Sequence, residues 1–291
     1  NGVTWDPNTV SWSGEFDGEV QHSVKYKSSS EFSGKRVLIV GAGNSGVDIA
    51  CDASFAADQA FLSVRRGYHF VPKHLFGKPS DVFSEEGPKL PFFLQQKIFG
   101  GLLRLINGDL TSYGLPKPDH KIFQTHPIMN TQILHYLGHG DCIAKGDIDY
   151  LDGKEVVFKD GSREQIDLII TATGYKHSVP FLNGEEIPIK NGRPDLYLNM
   201  FPRNCSNMAL IGFIEFASAA YENFDLMSEL IVADIAGSAE GLAEMKKTHH
   251  PDLSGGHNYL NTERNANYVD VDTFLKTLSK VKARTGIASG V

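Results

Sequence analysis

The segment that most constrains the fold runs from residue 32 to residue 50 and joins an apolar run to a glycine-rich turn. Residues 37–40 are apolar at four successive positions, which is typical of a strand buried on both faces of a sheet. The turn that follows has the spacing Gly-x-Gly-x-x-Gly, and a helical run comes directly after it. This order predicts a strand, a tight turn and a helix whose positive N-terminus can hold a phosphate.

Each glycine of this turn has an expected role. Gly41 makes the turn, Gly43 lets the backbone approach a pyrophosphate, and Gly46 lets the helix pack on the strand. Asn44 and Ser45 fall at the helix start. The alternative is a chance glycine turn, but the strand and helix on either side are the context that phosphate binding requires. We therefore predict a dinucleotide site at these five residues.

Two arginines point to the type of dinucleotide. Arg65 and Arg66 follow the next apolar run, residues 60–64, about 20 residues after the last glycine. An acidic residue near this position would bind the ribose 2′-hydroxyl of NAD, whereas a guanidinium matches the oxygens of a 2′-phosphate. The prediction is NADP rather than NAD. The alternative is that the arginines only cap a strand in solvent.

Composition limits the remaining classes. The chain has 291 residues, of which 41% are hydrophobic, which favours two domains or lobes over one. A net charge of -7 argues against nucleic acid or an anionic membrane as partner. The cysteines Cys51, Cys142 and Cys205 show no metal or disulfide spacing, so we expect no metal and a cytoplasmic location. No apolar run has the length of a transmembrane helix. The oligomeric state stays open.

Periodicity and turn residues predict the elements further along the chain. Residues 1–31 have no sustained period and are interpreted as a linker lying across a surface. Prolines break residues 67–130 into loops around one helix. The predicted later elements are a helix at 94–106, a hairpin of strands 155–158 and 165–172 around Asp160-Gly161, a strand at 208–215, and helices at 223–236 and 271–284.

The first 33 residues contain a string that reasoning from residue chemistry alone leaves unexplained. It is Phe-x-Gly-x-x-x-His-x-x-x-Tyr, formed by Phe16, Gly18, His22 and Tyr26. This string, placed shortly before the glycine turn, resembles the identifying pattern of flavin-containing monooxygenases, which are class B flavoprotein monooxygenases. Baeyer–Villiger members of that class usually have Trp at the position of Tyr26. The resemblance therefore favours the branch that oxygenates nitrogen and sulfur.

A third motif extends the resemblance. The segment Ala172-Thr173-Gly174-Tyr175 is similar to the motif at which the family's chain leaves the NADPH domain and returns to the FAD domain. Thr173 and Gly174 thereby join the expected cofactor-binding residues. The implied fold is α/β, with a Rossmann-like NADPH-binding domain and the C-terminal part of a two-dinucleotide-binding-domain FAD/NAD(P) fold. The implied domains are a linker at 1–33, the NADPH-binding domain at 34–175 and part of the FAD-binding domain at 176–291.

The resemblance implies a function. NADPH and FAD are the expected cofactors, and one oxygen atom of O₂ is transferred to a small-molecule amine or sulfide. No residue is assigned as catalytic, because the flavin supplies the difficult chemistry. The alternatives are a Baeyer–Villiger monooxygenase, a flavin-linked NADPH reductase and a non-catalytic NADP-binding module.

A last expectation concerns completeness. Two dinucleotides need two glycine turns, and the sequence contains one Gly-x-Gly-x-x-Gly. The chain also opens on Asn1-Gly2 without an initiator Met. We therefore expect the FAD-binding half to lie upstream of this sequence and the chain on its own to retain no FAD.

Overall fold

The computed structural model describes residues 4–80, 82–83, 90–182, 186–190, 193–216, 220–260, 262, 265 and 267–287. The chain divides into two compact units. One, here called the sheet unit, consists of Pro7–Ile122 and Pro127–Gly174. The other, here called the helical unit, consists of Asn1–Asp6, Phe123–His126 and Tyr175–Val291.

The described residues of the sheet unit form two large sheets and three α-helices. Its longer strands are β1 (Ser13–Phe16), β2 (Glu19–His22), β3 (Arg36–Val40), β4 (Gln59–Ser63), β5 (Cys142–Lys145), β6 (Ile148–Gly153), β7 (Glu155–Phe158), β8 (Arg163–Gln165) and β9 (Leu168–Thr171). Its helices are α1 (Asn44–Ala56), α2 (Phe92–Asn107) and α3 (Gln132–His139), with 3₁₀ helices at Ser29–Phe32 and Leu110–Tyr113.

Five of these strands form a parallel sheet in the order β2-β9-β3-β4-β5. The register aligns the strand ends: Thr171 pairs with both His22 and Val40, and Ser63 pairs with both Val40 and Lys145. From β3 the chain moves through α1 to β4 on one side, while β9 lies on the other side. The carboxyl ends therefore meet at one edge, and the strand order reverses between β9 and β3.

Alternation along the strands sends side chains to two separate cores. Val37 and Ile39 are fully buried in a cluster with residues of α1 and α3. Leu38, between them, is buried on the opposite face against the second sheet. That second sheet has the order β8-β7-β6-β1, with antiparallel pairs except for β1 beside β6. Burial on both faces explains the unbroken apolar run in β3.

The first part of the chain differs from the prediction. Residues 13–16 and 19–22, interpreted from the sequence as linker, form β1 and β2 and lie in different sheets. Their short length and isolated aromatic residues hide the strand period, because each has at most two inward positions. The segment is thus part of the sheet unit.

The structure contains the predicted hairpin turn and its first strand, but not the predicted second strand. β7 and β8 pair around the Asp160-Gly161 turn, but the predicted second strand at 165–172 is two strands in different sheets. The break lies at Asp167, which exchanges two bonds with Arg36: Asp167 N–H donates to the Arg36 carbonyl, and Arg36 N–H donates to Asp167 Oδ2, each at 2.9 Å. This anchor redirects the chain from the second sheet into the parallel sheet.

The helical unit contains α4 (Ala220–Ile235), α5 (Leu242–Thr248) and α6 (Val271–Arg284). They share a core with residues such as Met227, Leu230, Phe274 and Leu278. Asp270 caps α6, since its Oδ1 accepts a hydrogen bond from the Thr273 amide at 2.8 Å. The two-residue strands of the chain are Asp6–Pro7, His74–Leu75, Lys78–Pro79, Tyr175–Lys176, Ile189–Lys190, Arg193–Pro194, Leu196–Tyr197 and Phe201–Pro202.

The strand predicted at 208–215 is wrong. Phe213 and Ile214 are buried and Ile211 is exposed, and the segment makes only an isolated bridge between Glu215 and Tyr268. A bend at Gly212, with a φ of 98°, interrupts the run before a ladder can form. The three longer predicted helices are present as α2, α4 and α6. Within the residues that the structure describes, no helix combines the length and apolar composition needed to cross a bilayer.

Candidate functional site

The glycine turn lies at the carboxyl edge of the parallel sheet and needs glycine at its first position. Gly41 has a φ of 106°, a conformation that L side chains rarely adopt. A Cβ on Gly41 would lie 2.7 Å from the carbonyl oxygen of Ala172. The Gly41 amide donates to the Ser63 carbonyl at 3.0 Å. The turn is therefore wedged between the ends of β9 and β4.

The helix that follows begins without a side-chain cap. Gly43 is the N-cap residue of α1, with φ -73° and ψ 173°, and no side chain accepts a bond from the first turn. The first intrahelical bond runs from Val47 N–H to the Gly43 carbonyl at 2.9 Å. The N–H groups of Asn44, Ser45 and Gly46 thus have no acceptor within the helix. Together with the helix dipole, they favour an anion at this end.

Gly46 sets how closely the helix approaches the turn. A Cβ at this position would lie 1.9 Å from the carbonyl oxygen of Gly41 and 3.1 Å from the Cβ of Ala172. The first distance is shorter than a Cβ can tolerate and the second is tight, so any larger residue would push α1 away from the sheet edge. Gly46 therefore positions the helix N-terminus beside the turn.

Asn44 is held by a segment that the sequence does not identify as part of the site. Its Oδ1 accepts a hydrogen bond from the Met129 amide at 2.8 Å. One turn later, Asn130 Nδ2 donates to Asp48 Oδ1 at 2.6 Å. These two bonds fasten residues 129–130 along the first turns of α1. Ser45, in contrast, is exposed.

Phe16 and Gly18 of the monooxygenase string pack against each other. A Cβ on Gly18 would lie 2.5 Å from the Phe16 ring and 2.7 Å from the carbonyl oxygen of Asp167. Glycine is thus required at position 18, in the connection between β1 and β2. These two residues shape the connection between the sheets and lie away from the glycine turn.

His22 links the same string to the end of β9. Its Nδ1 accepts a bond from the Val24 amide at 3.2 Å, so its Nε2 carries the proton and donates to the Gly174 carbonyl at 3.1 Å. Burial lowers the pKa of His22, while the bond to Gly174 acts in the opposite direction. The arrangement therefore requires a neutral imidazole.

Tyr26 attaches the string to helix α1. Its hydroxyl donates to Asp52 Oδ2 at 2.7 Å, and its ring stacks on Phe32 with centroids 5.0 Å apart. Burial first, and then the bond to Asp52, raise the pKa of Tyr26 above its usual value. Tyr26 thus acts as a structural tie within the sheet unit.

Thr173 and Gly174 extend the carboxyl edge past β9. Gly174 has a φ of 83°, and its carbonyl also accepts a bond from the Asn8 amide at 2.9 Å. The Thr173 hydroxyl donates to the carbonyl of Asn8. Asn8 lies in a polar N-terminal stretch, and no sequence signal identifies it.

The two arginines differ in their surroundings. Arg65 is exposed and has no ion-pair partner in the described part of the chain. Arg66 is partly buried, with 26% of its side chain exposed, and its Nη2 lies 2.9 Å from Asp119 Oδ1. Both arginines follow β4, which pairs with β3, the strand that precedes the glycine turn. Asp119 is another residue that sequence spacing does not reveal.

The structure thus brings the glycine turn, the start of α1 and the segment after β9 together where the strand order reverses. Ligands of open α/β sheets bind outside the carboxyl ends at such a point. Hydrogen bonds from Gly41 to the Ser63 carbonyl and from the Met129 amide to Asn44 tie the turn and the start of α1 to neighbouring segments. Among the described residues, no group of three His, Cys, Asp or Glu could hold a metal ion.

Comparisons with known proteins identify the family of the chain. The family model described as flavin-binding monooxygenase-like matches residues 9–250. Flavin-containing monooxygenase 5 of Cavia porcellus is 32% identical over 94% of this chain and 52% of its own length. Dimethylaniline monooxygenase [N-oxide-forming] 2 of Macaca mulatta is 30% identical over 76% of this chain and 43% of its own length. The chain spans about half the length of these curated relatives.

The fold is also found among solved structures. A crystal structure of OTEMO in complex with FAD and NADP matches 85% of this chain and 63% of that chain, with a TM-score of 0.59 and 16% identity. The shared fold is α/β with mixed sheets. Because the family model covers most of the chain and a relative above 30% identity is matched over nearly all of it, the chain belongs to the flavin-binding monooxygenase-like family.

Proposed function

We propose that this chain binds NADPH at the carboxyl edge of its parallel sheet and provides the NADPH-binding part of an FAD-dependent monooxygenase. The observation that carries the proposal is the turn from β3 to α1. There, Gly41 has a positive φ, and Gly46 brings an uncapped helix N-terminus against the turn. Such a turn suits a pyrophosphate, which needs close backbone approach and N–H donors.

The residues of the sheet unit fit NADPH in two places. The pyrophosphate would lie at Gly43 and the N–H groups of Asn44, Ser45 and Gly46. The 2′-phosphate would lie near Arg65 and Arg66, because they follow the strand adjacent to the one that carries the turn. Thr173 and Gly174 would border the nucleotide on the side of β9. When bound, NADPH supplies the hydride that reduces the flavin.

The described residues include no second glycine turn of this kind that could hold the pyrophosphate of FAD. The sequence has one Gly-x-Gly-x-x-Gly turn, and we assign that turn to NADPH. The family is described as flavin-binding, which supports FAD as the second cofactor of the protein. We assign no residue of this chain to the pyrophosphate of FAD.

The proposed substrate is a small molecule with a soft nucleophilic nitrogen or sulfur. Tyr26, in place of the Trp that is usual in Baeyer–Villiger enzymes, favours this class. The name of the Macaca mulatta relative, which forms an N-oxide, supports it. Residues of the chain would bind and orient the nicotinamide cofactor, and they hold His22 neutral at the Gly174 carbonyl.

The first experiment asks whether the chain retains flavin. The chain is purified with excess FAD and desalted, and its visible spectrum is recorded. We expect no stoichiometric flavin band, because one glycine turn serves one dinucleotide. A stoichiometric band would show that the chain holds both cofactors and would overturn our assignment of a single site.

The activity is tested on a protein in which this chain is joined to an FAD-binding half, because we expect the chain alone to retain no FAD. NADPH oxidation is measured with and without an amine or a sulfide, and the N-oxide or sulfoxide is quantified. Oxygenated product formed in step with NADPH consumption supports the proposal. NADPH oxidation that passes electrons to another acceptor, without oxygenated product, would indicate a reductase. An ester formed from a ketone would indicate a Baeyer–Villiger enzyme.

A further inference from the structure

Arg66 lies in a cluster of polar and aromatic side chains after β4, here called the Arg66 cluster. Its members are Arg66, Tyr68, His69, Asp119 and His120. Arg66 Nη2 donates to Asp119 Oδ1 at 2.9 Å, and the guanidinium lies over the Tyr68 ring, 5.8 Å from its centroid. The proposed function uses Arg66 for the 2′-phosphate and leaves the other four residues without a role.

His120 fixes the carboxylate of Asp119. Its Nδ1 lies 2.7 Å from Asp119 Oδ1, and its side chain is only 2% exposed. Because a carboxylate only accepts hydrogen bonds, His120 Nδ1 is the donor. The bonds from His120 first, and then from Arg66, lower the pKa of Asp119. Asp119 is therefore an anion with two donors on the same oxygen.

The position of Asp119 does not depend on Arg66. Gly67 and Pro118 form a backbone bridge, and a Cβ on Gly67 would lie 2.0 Å from the carbonyl oxygen of Lys117. His69 Nε2 donates to the His120 carbonyl at 2.8 Å. These contacts hold the two segments together on both sides of Asp119. The carboxylate would thus stay in place if Arg66 moved.

Arg66, in contrast, is incompletely satisfied in its bond to Asp119. Its Nε is buried and has no hydrogen-bond acceptor among the described residues. Leaving a buried donor unpaired opposes the conformation that buries it. If Arg66 moved toward another anion, its Nε–H could find an acceptor. Arg66 therefore gives up its bond to Asp119 more easily than it would leave an ion pair in which every donor is bonded.

We propose that Asp119 competes with the nucleotide 2′-phosphate for Arg66 and thereby determines how strongly the site prefers NADPH over NADH. The inference rests on the proposed function, since it needs the 2′-phosphate beside Arg66. A phosphate monoester has three acceptor oxygens and a charge of about −1.5 to −2, whereas a carboxylate has two acceptor oxygens and a single negative charge. NADH has no 2′-phosphate, so its binding does not require Arg66 to leave Asp119.

The test is Asp119→Asn, which keeps an oxygen acceptor for Arg66 and His120 and removes the negative charge. We expect NADPH to bind about threefold to tenfold more tightly, because the bond that must be broken then joins the Arg66 guanidinium to a neutral amide oxygen and no longer to a carboxylate. NADH affinity should not change. The matched control is Asp152→Asn, which removes the charge of another aspartate paired with an arginine, Arg163, on the second sheet. Unchanged or weaker NADPH binding by Asp119→Asn would overturn the inference.

A second pair of variants tests whether the effect acts through Arg66. In an Arg66→Ala background, Asp119→Asn should give no gain in NADPH affinity. An equal gain would show that Asp119 acts only as a distant charge, and the competition would be excluded. If the unaltered chain binds NADPH and NADH equally, the proposed function itself fails. If it prefers NADPH and Asp119→Asn leaves that preference unchanged, the competition alone fails.

Discussion

Gly43 and Gly46 lie three residues apart, and a methyl group added to each should have a different consequence. Gly43 has φ -73° and ψ 173°, which alanine adopts without strain. Gly43→Ala should therefore leave the melting temperature nearly unchanged but abolish NADPH binding, because its Cβ enters the space of the pyrophosphate. Gly46→Ala should destabilise the sheet unit by about 1–3 kcal/mol, since its Cβ would lie 1.9 Å from a carbonyl oxygen.

The matched control for these variants is Gly101→Ala in α2. A Cβ on Gly101 meets no atom within 4 Å, so this variant should be neutral or stabilising by about 0.5–1 kcal/mol. Melting curves and NADPH titrations of the three variants separate the two roles. Our assignment of Gly43 is wrong if Gly43→Ala unfolds the unit and leaves nucleotide binding intact.

His22 should make the stability of the sheet unit depend on pH. Burial lowers the pKa of His22 below its ordinary value of 6.5, so the unfolded chain binds the proton more readily than the folded one. Stability from this residue is therefore complete above about pH 7.5 and is lost as the pH falls through 6.5 toward the lowered pKa. Protonation would also place a second N–H against the Val24 amide.

The measurement is the free energy of unfolding between about pH 5 and pH 8, followed by the fluorescence of Trp12, which packs in the sheet unit. His22→Asn cannot titrate in this range and should make the dependence shallower, leaving the part that comes from His69, whose pKa is also lowered by burial. The control variant is His74→Asn, which removes an exposed histidine of the same unit. A slope that His22→Asn does not change would contradict the role given to burial.

Among the elements, the strand, turn and helix around the glycines could be predicted because local chemistry determines them. The run in β3 is apolar at successive positions, and the helix start follows from the glycine spacing. The two strands that replace residues 165–172 could not be predicted. Their separation depends on bonds between Asp167 and Arg36, which are distant in sequence. The run at 208–215 has a strand pattern but finds no strand partner.

The same distinction applies to the site. Gly41 and Gly46 were identified from spacing, and their distances to neighbouring carbonyl oxygens give a reason for glycine at each. No sequence motif marks Asn8, Asp119 or Met129, because each lies in a segment that only the fold brings to the site. The monooxygenase string was recognised as a pattern, yet only the structure shows its physical role, in which His22 and Tyr26 join a loop to β9 and α1.

The bond between Tyr26 and α1 can be tested with a single substitution. Tyr26→Phe keeps the stacking on Phe32 but removes the bond to Asp52 on α1. We expect a loss of about 1–2 kcal/mol in the free energy of unfolding, since the acceptor is charged. The matched control is Tyr136→Phe, whose hydroxyl accepts a bond from Gln132 on an exposed helix face. A loss no greater than in this control would show that Tyr26 does not tie the segment to α1.

At the scale of the whole molecule, the sheet unit holds every residue that we assign to NADPH. Two cores cover the parallel sheet, so its carboxyl edge is supported from both faces. The chain has a net charge of -7, so it does not attract a nucleotide anion as a whole. The attraction must come from local positive charge, which the two arginines after β4 supply. The preference for NADPH over NADH is therefore the property that tests these assignments most directly.

The most direct measurement is a calorimetric titration of the chain with NADPH and with NADH. We predict one NADPH per chain and NADH binding at least about tenfold weaker, because the 2′-phosphate gains charge-assisted bonds at Arg65 and Arg66. The double variant Arg65→Ala/Arg66→Ala should lose this preference, whereas Arg104→Ala, at an exposed position of α2, should retain it. Equal affinity of the unaltered chain for the two nucleotides, or equal weakening of both in the double variant, would contradict the account.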